Sequence, residues 1–442
     1  MKAKASQLLS RSWIGRLGND KLLSGFGMLG LGEGFNRVTR IVTTIVLARN
    51  LSAVEFGIAA TAITCFELVR VLSENGLSQM VVRASDKELA ATCNTAYRLT
   101  LLICVFMATL QLAAGAVLAW LTGRPDLFAM IACLAGVYAV MPSSMVQYWL
   151  LQREFRMGRI AGITTTQVCV DNLMTAGLAM SGFGAWAIVL PKLLTAPIFM
   201  FGMRWSVKWR YNRMAGGVPL ASTIRFCLPI LASELLVAVR GNADNMLVGS
   251  ILGLEALGIY YFAFNAGYGL SSVLTSALAA VSFPHLASPK LGLTQLVERF
   301  DQAMFRLALP ISAIIALQAL AVPLYVPLLF GDKWDSVILI VSVLCLSATT
   351  RSCFDLSAQL MRAGGLQSQE FVASMVFTVL LLSLFAAALP FGLLSGVTML
   401  CVGSISMQIL FALWARQRIR QHIESGGQAT EAGPMDRGAR HA

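Results

Sequence analysis

The sequence predicts an all-α polytopic membrane protein, and three observations predict it. Apolar residues make up 57% of the chain and charged residues 13%, with a mean hydropathy of +0.71, a composition that excludes an ordinary soluble domain. The apolar residues gather into twelve segments of about 20 residues, the length of a helix that crosses the hydrocarbon core. The basic residues sit mostly in alternate loops, as they do around membrane spans. Each segment is read as a helix, because in lipid only a helix or a closed barrel satisfies its own backbone.

Taken in order, residues 1–21 set Leu8, Leu9, Trp13, Ile14 and Leu17 among Lys2, Lys4, Arg11, Arg16 and Lys21. That pattern suits an amphipathic N-tail on the cytoplasmic membrane face, and no small-residue cleavage site marks it as a removable signal. Residues 22–203 form an expected N-lobe with spans at 24–48, 55–80, 95–119, 127–150, 160–180 and 184–203. A basic cytoplasmic linker follows at 204–225. Residues 226–415 form an expected C-lobe with spans at 226–252, 256–286, 304–329, 335–361, 369–389 and 393–415. The polar remainder, 416–442, reads as a disordered cytoplasmic tail.

Twelve spans place both termini on one side, and charge says which. With the termini in the cytoplasm, 25 of the 34 Lys and Arg residues fall on that side and only Arg49, Arg124 and Lys333 on the other. This bias orients the chain with both termini in the cytoplasm. The net charge of +12 is therefore a topology signal, and no nucleic-acid partner is expected. The nine cysteines lie in or beside apolar segments without CxxC or Cys/His spacing, so no metal or disulfide is expected. The phosphate-binding spacing GxxxxGK[ST] is missing, which disfavours direct ATP hydrolysis, and no cofactor is expected.

An internal repeat relates the halves. A shift of 201 positions lays Glu33 on Glu234, Val38 on Val239, Leu51 on Leu252, Gly57 on Gly258 and Ile58 on Ile259. Six spans per half keep both halves in one orientation, as in transporters built from parallel repeats.

The first span carries Glu33, Arg37 and Arg40 on one helical face by their i, i+4, i+7 spacing. One such charge near the bilayer centre costs about 2.5–3.5 kcal/mol on insertion scales, so three of them should face water or partners inside a bundle. The other embedded cations are Arg70, Lys192, Arg240 and Arg351, and the other embedded acids are Asp171, Glu234, Asp244 and Asp355. Several stand at ion-pair spacing: Glu33 with Arg37, Glu67 with Arg70, Arg240 with Asp244 and Arg351 with Asp355. Prolines 142, 191, 197, 229, 310 and 323 are expected to bend their spans. His285 reads as an interfacial side chain.

Six motifs carry a family resemblance: LARNLSAVEFG, LVRVLSENGLSQMVVR, LLQREFRM, GFGAWAIV, DNMLVGSILGLEALGIYYFA and LLFGDKWDS. Together they resemble the Wzx-type polysaccharide (O-antigen/exopolysaccharide) flippases. These belong to the polysaccharide transporter branch of the superfamily that includes the multidrug and toxin extruders. The resemblance implies a MATE-like fold, about 12 transmembrane helices in two pseudo-symmetric six-helix lobes around a central cavity. It also implies a cargo of undecaprenyl-pyrophosphate-linked oligosaccharide, moved by alternating access, with polysaccharide polymerase and glycosyltransferases as partners besides membrane lipids. Family members often run to fourteen spans, and AWAI stands here where VWAL is commoner.

Given that cargo, a cavity is required, since one unpaired hydroxyl in hydrocarbon costs roughly 2–7 kcal/mol. Arg37, Arg40, Arg240, Arg351, Arg70 and Lys192 are the expected substrate-binding residues, offsetting the charge of the pyrophosphate. Glu33, Asp171, Glu234, Asp244 and Asp355 are the expected sites for coupling to protons or Na⁺. The alternatives are a cation-coupled drug extruder of the same superfamily and a membrane polysaccharide polymerase or ligase. The short outer loops argue against the enzyme.

Overall fold

The structure, a computed structural model, describes the backbone over residues 21–269, 271–272, 275, 278 and 293–431. Side chains are described over 34–422, apart from 270, 273–274, 276–277 and 279–295. The amphipathic pattern of residues 1–20, the side chain of Glu33 and His285 lie outside the described residues.

Helices and turns account for every described element, with no strand among the described residues. In order they are α1 (Lys21–Asn50), α2 (Ala53–Arg70), α3 (Leu77–Arg83), α4 (Leu89–Thr122), α5 (Pro125–Ala135), α6 (Val137–Val140), α7 (Pro142–Arg153), α8 (Met157–Met180) and α9 (Trp186–Ser206). The series continues with α10 (Leu220–Ala266), α11 (Leu293–Ala303), α12 (Leu309–Phe330), α13 (Ile338–Ser347), α14 (Arg351–Ala363), α15 (Gln367–Ala388) and α16 (Leu393–Glu431). All twelve expected spans overlap helix, although 256–286 is described only in part.

Eight helices among the described residues are long and apolar enough to cross a membrane, and the bent pair Pro125–Val140 and Pro142–Arg153 makes a ninth. The difference from twelve has a physical origin. Helices α1 and α8 carry too many polar residues to pass a hydropathy test on their own. They place those residues against each other instead: the Asn172 amide donates to Thr39 Oγ1 at 2.9 Å, and the Thr43 hydroxyl donates to the Asn172 carbonyl at 3.1 Å. A polar seam between helices is stable in lipid because no better partner exists there. Helix α10 also runs across the boundary between two expected spans, interrupted only at Gly253, whose φ of +86° breaks the helical path.

Outward faces are apolar, as lipid demands. On α12, Ile315, Ala319, Val322 and Val326 are buried, while Leu317, Leu320, Leu324 and Leu328 are exposed on the opposite stripe. This is a multi-pass membrane protein.

The chain divides into two compact units, Met1–Gly249 and Ser250–Ala442. The basic segment 204–225 belongs to the first. Asn94 holds it to α4, its amide donating to the carbonyls of Asn212 at 2.6 Å and Gly216 at 3.0 Å, while Thr95 Oγ1 accepts the Val218 N–H at 2.8 Å. In the second unit, α11 lays Leu296 and Phe300 against Leu356, Leu360 and Ile419. An Arg416–Asp301 ion pair of 2.6 Å also ties α16, which runs to Glu431, to α11.

The motifs prove to be packing devices. Ser52 and Glu55 form a capping box at the start of α2, the Ser52 N–H donating to Glu55 Oε2 at 2.7 Å. The same carboxylate lies against Gly184, where an added Cβ would come within 2.3 Å of Glu55 Oε1. Arg153 of the LLQREFRM turn donates to the carbonyls of Val81 and Val82 at 3.2 and 3.1 Å, and pairs with Asp86 at 2.7 Å. In the second unit Phe262 stacks on Trp334 with centroids 3.8 Å apart, joining the IYYFA and GDKW segments.

Gly184 also has φ +53°, so Gly184→Ala suffers both a left-handed backbone and a clash. The variant should lose about 1–3 kcal/mol, read as a lower melting temperature in detergent. A melting temperature equal to wild type would contradict this packing.

Candidate functional site

Two helix breaks in the first unit build the site. The first separates α2 from α3. Asn-Gly is a turn dipeptide, and here Asn75 Oδ1 accepts the Leu77 N–H at 3.2 Å while its amide donates to the Leu72 carbonyl at 3.0 Å. Gly76 follows with φ +84°, and a Cβ there would meet Ile230 Cδ1 at 2.6 Å. The second break lies at Pro142, which offers no N–H to the preceding turn. The helices on either side diverge by 56°. Irregular backbone within a spanning segment is tolerated only where it is buried in protein or lines a cavity.

Both breaks border one cavity of about 390 Å³, within the roughly 300–1,000 Å³ typical of small-ligand sites. Its wall takes Arg70, Glu74 and Asn75 from the first break and Met141, Ser144 and Tyr148 from the second. Gln167 of α8, Phe199 of α9 and Glu234 of α10 complete it. The Tyr148 and Phe199 rings lie 5.8 Å apart. Below the site, the Tyr138 hydroxyl donates to Gln111 Oε1 at 2.8 Å, and the Gln111 amide donates to the Ile131 carbonyl at 3.0 Å. These buried bonds fix α5 and α6 against α4.

The Arg70 guanidinium is committed within the protein: it reaches Glu67 Oε2 at 2.8 Å and Glu74 Oε1 at 3.3 Å. Glu234 forms no ion pair among the described residues. With Glu74 and Glu234 set against Arg70, the cavity wall has a net negative charge.

The remaining expected site residues fall elsewhere. Lys192 and Asp171 come together, Nζ to Oδ2 at 2.5 Å, from α9 and α8. The other oxygen of the buried Asp171 carboxylate has no hydrogen-bond partner among the described residues. In the second unit, Arg351 pairs with Asp355 at 3.0 Å and lies over the Phe354 ring. On α1, Arg37 is half-buried and Arg40 exposed; neither borders the cavity. Arg240 is exposed on α10, and the expected Arg240–Asp244 pair does not form, Asp244 accepting instead from the Asn245 N–H at 2.9 Å. Thus Arg70 and Glu234 share one site, while Lys192 and Arg351 are each joined to an expected coupling acid.

Tyr148, Phe199 and Gln167 were not singled out from sequence. Asn75 and Gly76 lie in the motif LVRVLSENGLSQMVVR without having been read as a break, and Pro142 bends its span as expected.

Known proteins place this architecture. A family model described as "Polysaccharide biosynthesis protein" matches residues 46–339. The "Lipopolysaccharide biosynthesis protein WzxC" of Escherichia coli (strain K12) is 24% identical over 318 residues, which cover 71% of this chain and 64% of the relative. The "Succinoglycan biosynthesis transport protein ExoT" of Rhizobium meliloti (strain 1021) is 24% identical over 313 residues, covering 70% and 62%. The chain thus matches just under two thirds of the length of these relatives. Among solved structures, the lipid II flippase MurJ in an inward closed conformation aligns with a TM-score of 0.70 at 12% identity, over 92% of this chain and 93% of that one. An inward-facing MATE family multidrug transporter aligns at 0.64 and 16%, over 88% and 96%. The fold is MATE-like.

The Lys192–Asp171 contact predicts a specific pattern of stability. Lys192→Met strands a buried carboxylate and should destabilise by about 1–3 kcal/mol. Adding Asp171→Asn to it should restore most of the melting temperature in detergent. A stable single variant, or a double variant no better than the single, would contradict a structural pairing.

Proposed function

The chain belongs to the polysaccharide biosynthesis protein family, and from that premise we propose that it is a flippase for lipid-linked glycans. Its cargo is undecaprenyl-pyrophosphate-linked oligosaccharide, carried from the cytoplasmic to the periplasmic leaflet of the bacterial inner membrane for surface polysaccharide synthesis. The observation that carries the reading is the polar cavity of about 390 Å³ set among apolar helices at two helix breaks. Hydroxyl groups cannot cross hydrocarbon unpaired, and broken helices are where membrane transporters place polar cargo. The relatives' names support the pathway, and the MurJ alignment supports the fold needed for it.

In this reading Arg37, Arg40 and Arg240 meet the pyrophosphate, for which guanidinium is the geometric match. Arg70, Lys192 and Arg351 are held by acids and position helices. Asp171, Asp244 and Asp355 are the acids through which a proton or Na⁺ gradient would bias the transport cycle. Glycosyltransferases supply the lipid-linked unit on one side, and a polymerase takes it on the other.

A second reading is favoured by one observation, the net negative and aromatic character of the cavity, which also suits an organic cation. Ethidium efflux separates the two: the flippase reading predicts no change in efflux on deletion of the gene.

Deletion should leave the lipid-linked repeat unit on the cytoplasmic leaflet and abolish surface polysaccharide. Wild type should restore it, while Arg37→Ala with Arg40→Ala should restore less than about a tenth. Normal surface glycan in the deletion strain would overturn the proposal.

A further inference from the structure

The cavity between the two helix breaks has its own chemistry, and it does not match a pyrophosphate. Its one arginine, Arg70, is occupied by Glu67 and Glu74 at 2.8 and 3.3 Å. Glu234 adds a carboxylate that forms no ion pair among the described residues. A phosphate or uronate entering this space would meet like charge, which costs binding. A hydroxyl entering it would find acceptors.

The uncommitted groups are those a sugar ring uses. The Gln167 amide makes no hydrogen bond among the described residues, so both its donors and its oxygen are available. The Glu234 carboxylate presents two acceptor oxygens. Either group spans two neighbouring hydroxyls on a pyranose, as planar bidentate groups do elsewhere. Across from them Tyr148 and Phe199 offer two rings 5.8 Å apart, an apolar surface for the C–H face of the ring. Polar groups placed against an aromatic wall are a usual build of a specific small-ligand site.

We infer that this cavity is a glycan subsite that takes an uncharged sugar residue of the cargo, with Glu234 and Gln167 bonding its hydroxyls and Tyr148 and Phe199 packing on its face. The inference rests on the flippase reading and deepens it: the sugar and the pyrophosphate of one cargo molecule are recognised by different groups. It gives Glu234 a role different from ion coupling. As a hydroxyl acceptor it needs its oxygen and not its charge, whereas a coupling acid needs the charge.

The experiment uses full-length variants in the deletion strain, matched for membrane abundance and detergent melting temperature, with lipid-linked repeat units quantified by leaflet. Because Gln167 makes no hydrogen bond among the described residues, Gln167→Ala should fold normally and lower export about threefold to tenfold, the worth of one lost hydrogen bond. Glu234→Ala should lower it about tenfold or more, while Glu234→Gln should stay within about twofold of wild type. Export at the wild-type rate in Gln167→Ala and Glu234→Ala, in a strain where deletion stops export, would overturn the subsite and leave the flippase reading standing. Loss of export in Glu234→Gln would overturn it in favour of a charge-dependent role. A deletion strain with unchanged export would overturn both. Export falling as stated, with Glu234→Gln active, is the result expected.

Discussion

A backbone amide that loses its helical partner inside a membrane must find another, and this demand shapes the first unit. Where α2 gives way to α3, the Asn75 side chain bonds the chain on both sides of the break, to Leu77 and Leu72. Gly76 supplies a φ of +84° that lets the chain turn against Ile230. Where α6 gives way to α7, Pro142 removes a donor, so no amide is stranded. Each break alone would be a local accommodation. Their convergence on one polar cavity turns two packing problems into a place where a polar cargo can sit.

Charge follows the same economy. Arg70, Lys192 and Arg351 each reach a carboxylate within 3.0 Å, so their desolvation is offset within the protein. Of these pairs only Lys192–Asp171 joins two helices; Arg70–Glu67 and Arg351–Asp355 each lie along one helix. The family motifs act similarly. Glu55 against Gly184 fastens the start of α2 to the turn before α9, and Arg153 fastens the end of α7 to the last carbonyls of α3. These two motifs mark where helices are tied together, while LVRVLSENGLSQMVVR supplies Arg70, Glu74 and Asn75 to the cavity wall.

The membrane class and the positions of the spans were legible because lipid imposes length and hydropathy on every crossing. The polar seam of Thr39, Thr43 and Asn172 was legible only as a weakness in two spans; its meaning, a pairing of α1 with α8, needs the third dimension. Arg70 and Glu234 were visible as embedded charges, yet nothing in their spacing joins residues more than 160 positions apart. Tyr148 and Phe199 were invisible, since an aromatic in an apolar helix reads the same whether it faces lipid, core or cavity.

The central claim is that water and polar cargo reach the helix breaks of the first unit. Helix α8 offers a direct comparison, since Gln167 borders the cavity while Leu173, 68% exposed, lies on its apolar outer face. Gln167→Cys and Leu173→Cys, each in membrane vesicles, can be treated with a membrane-impermeant maleimide and read by mass spectrometry of the modified peptide. The account predicts modification at 167 and protection at 173. Protection at both positions, or modification at 173 alone, would contradict it.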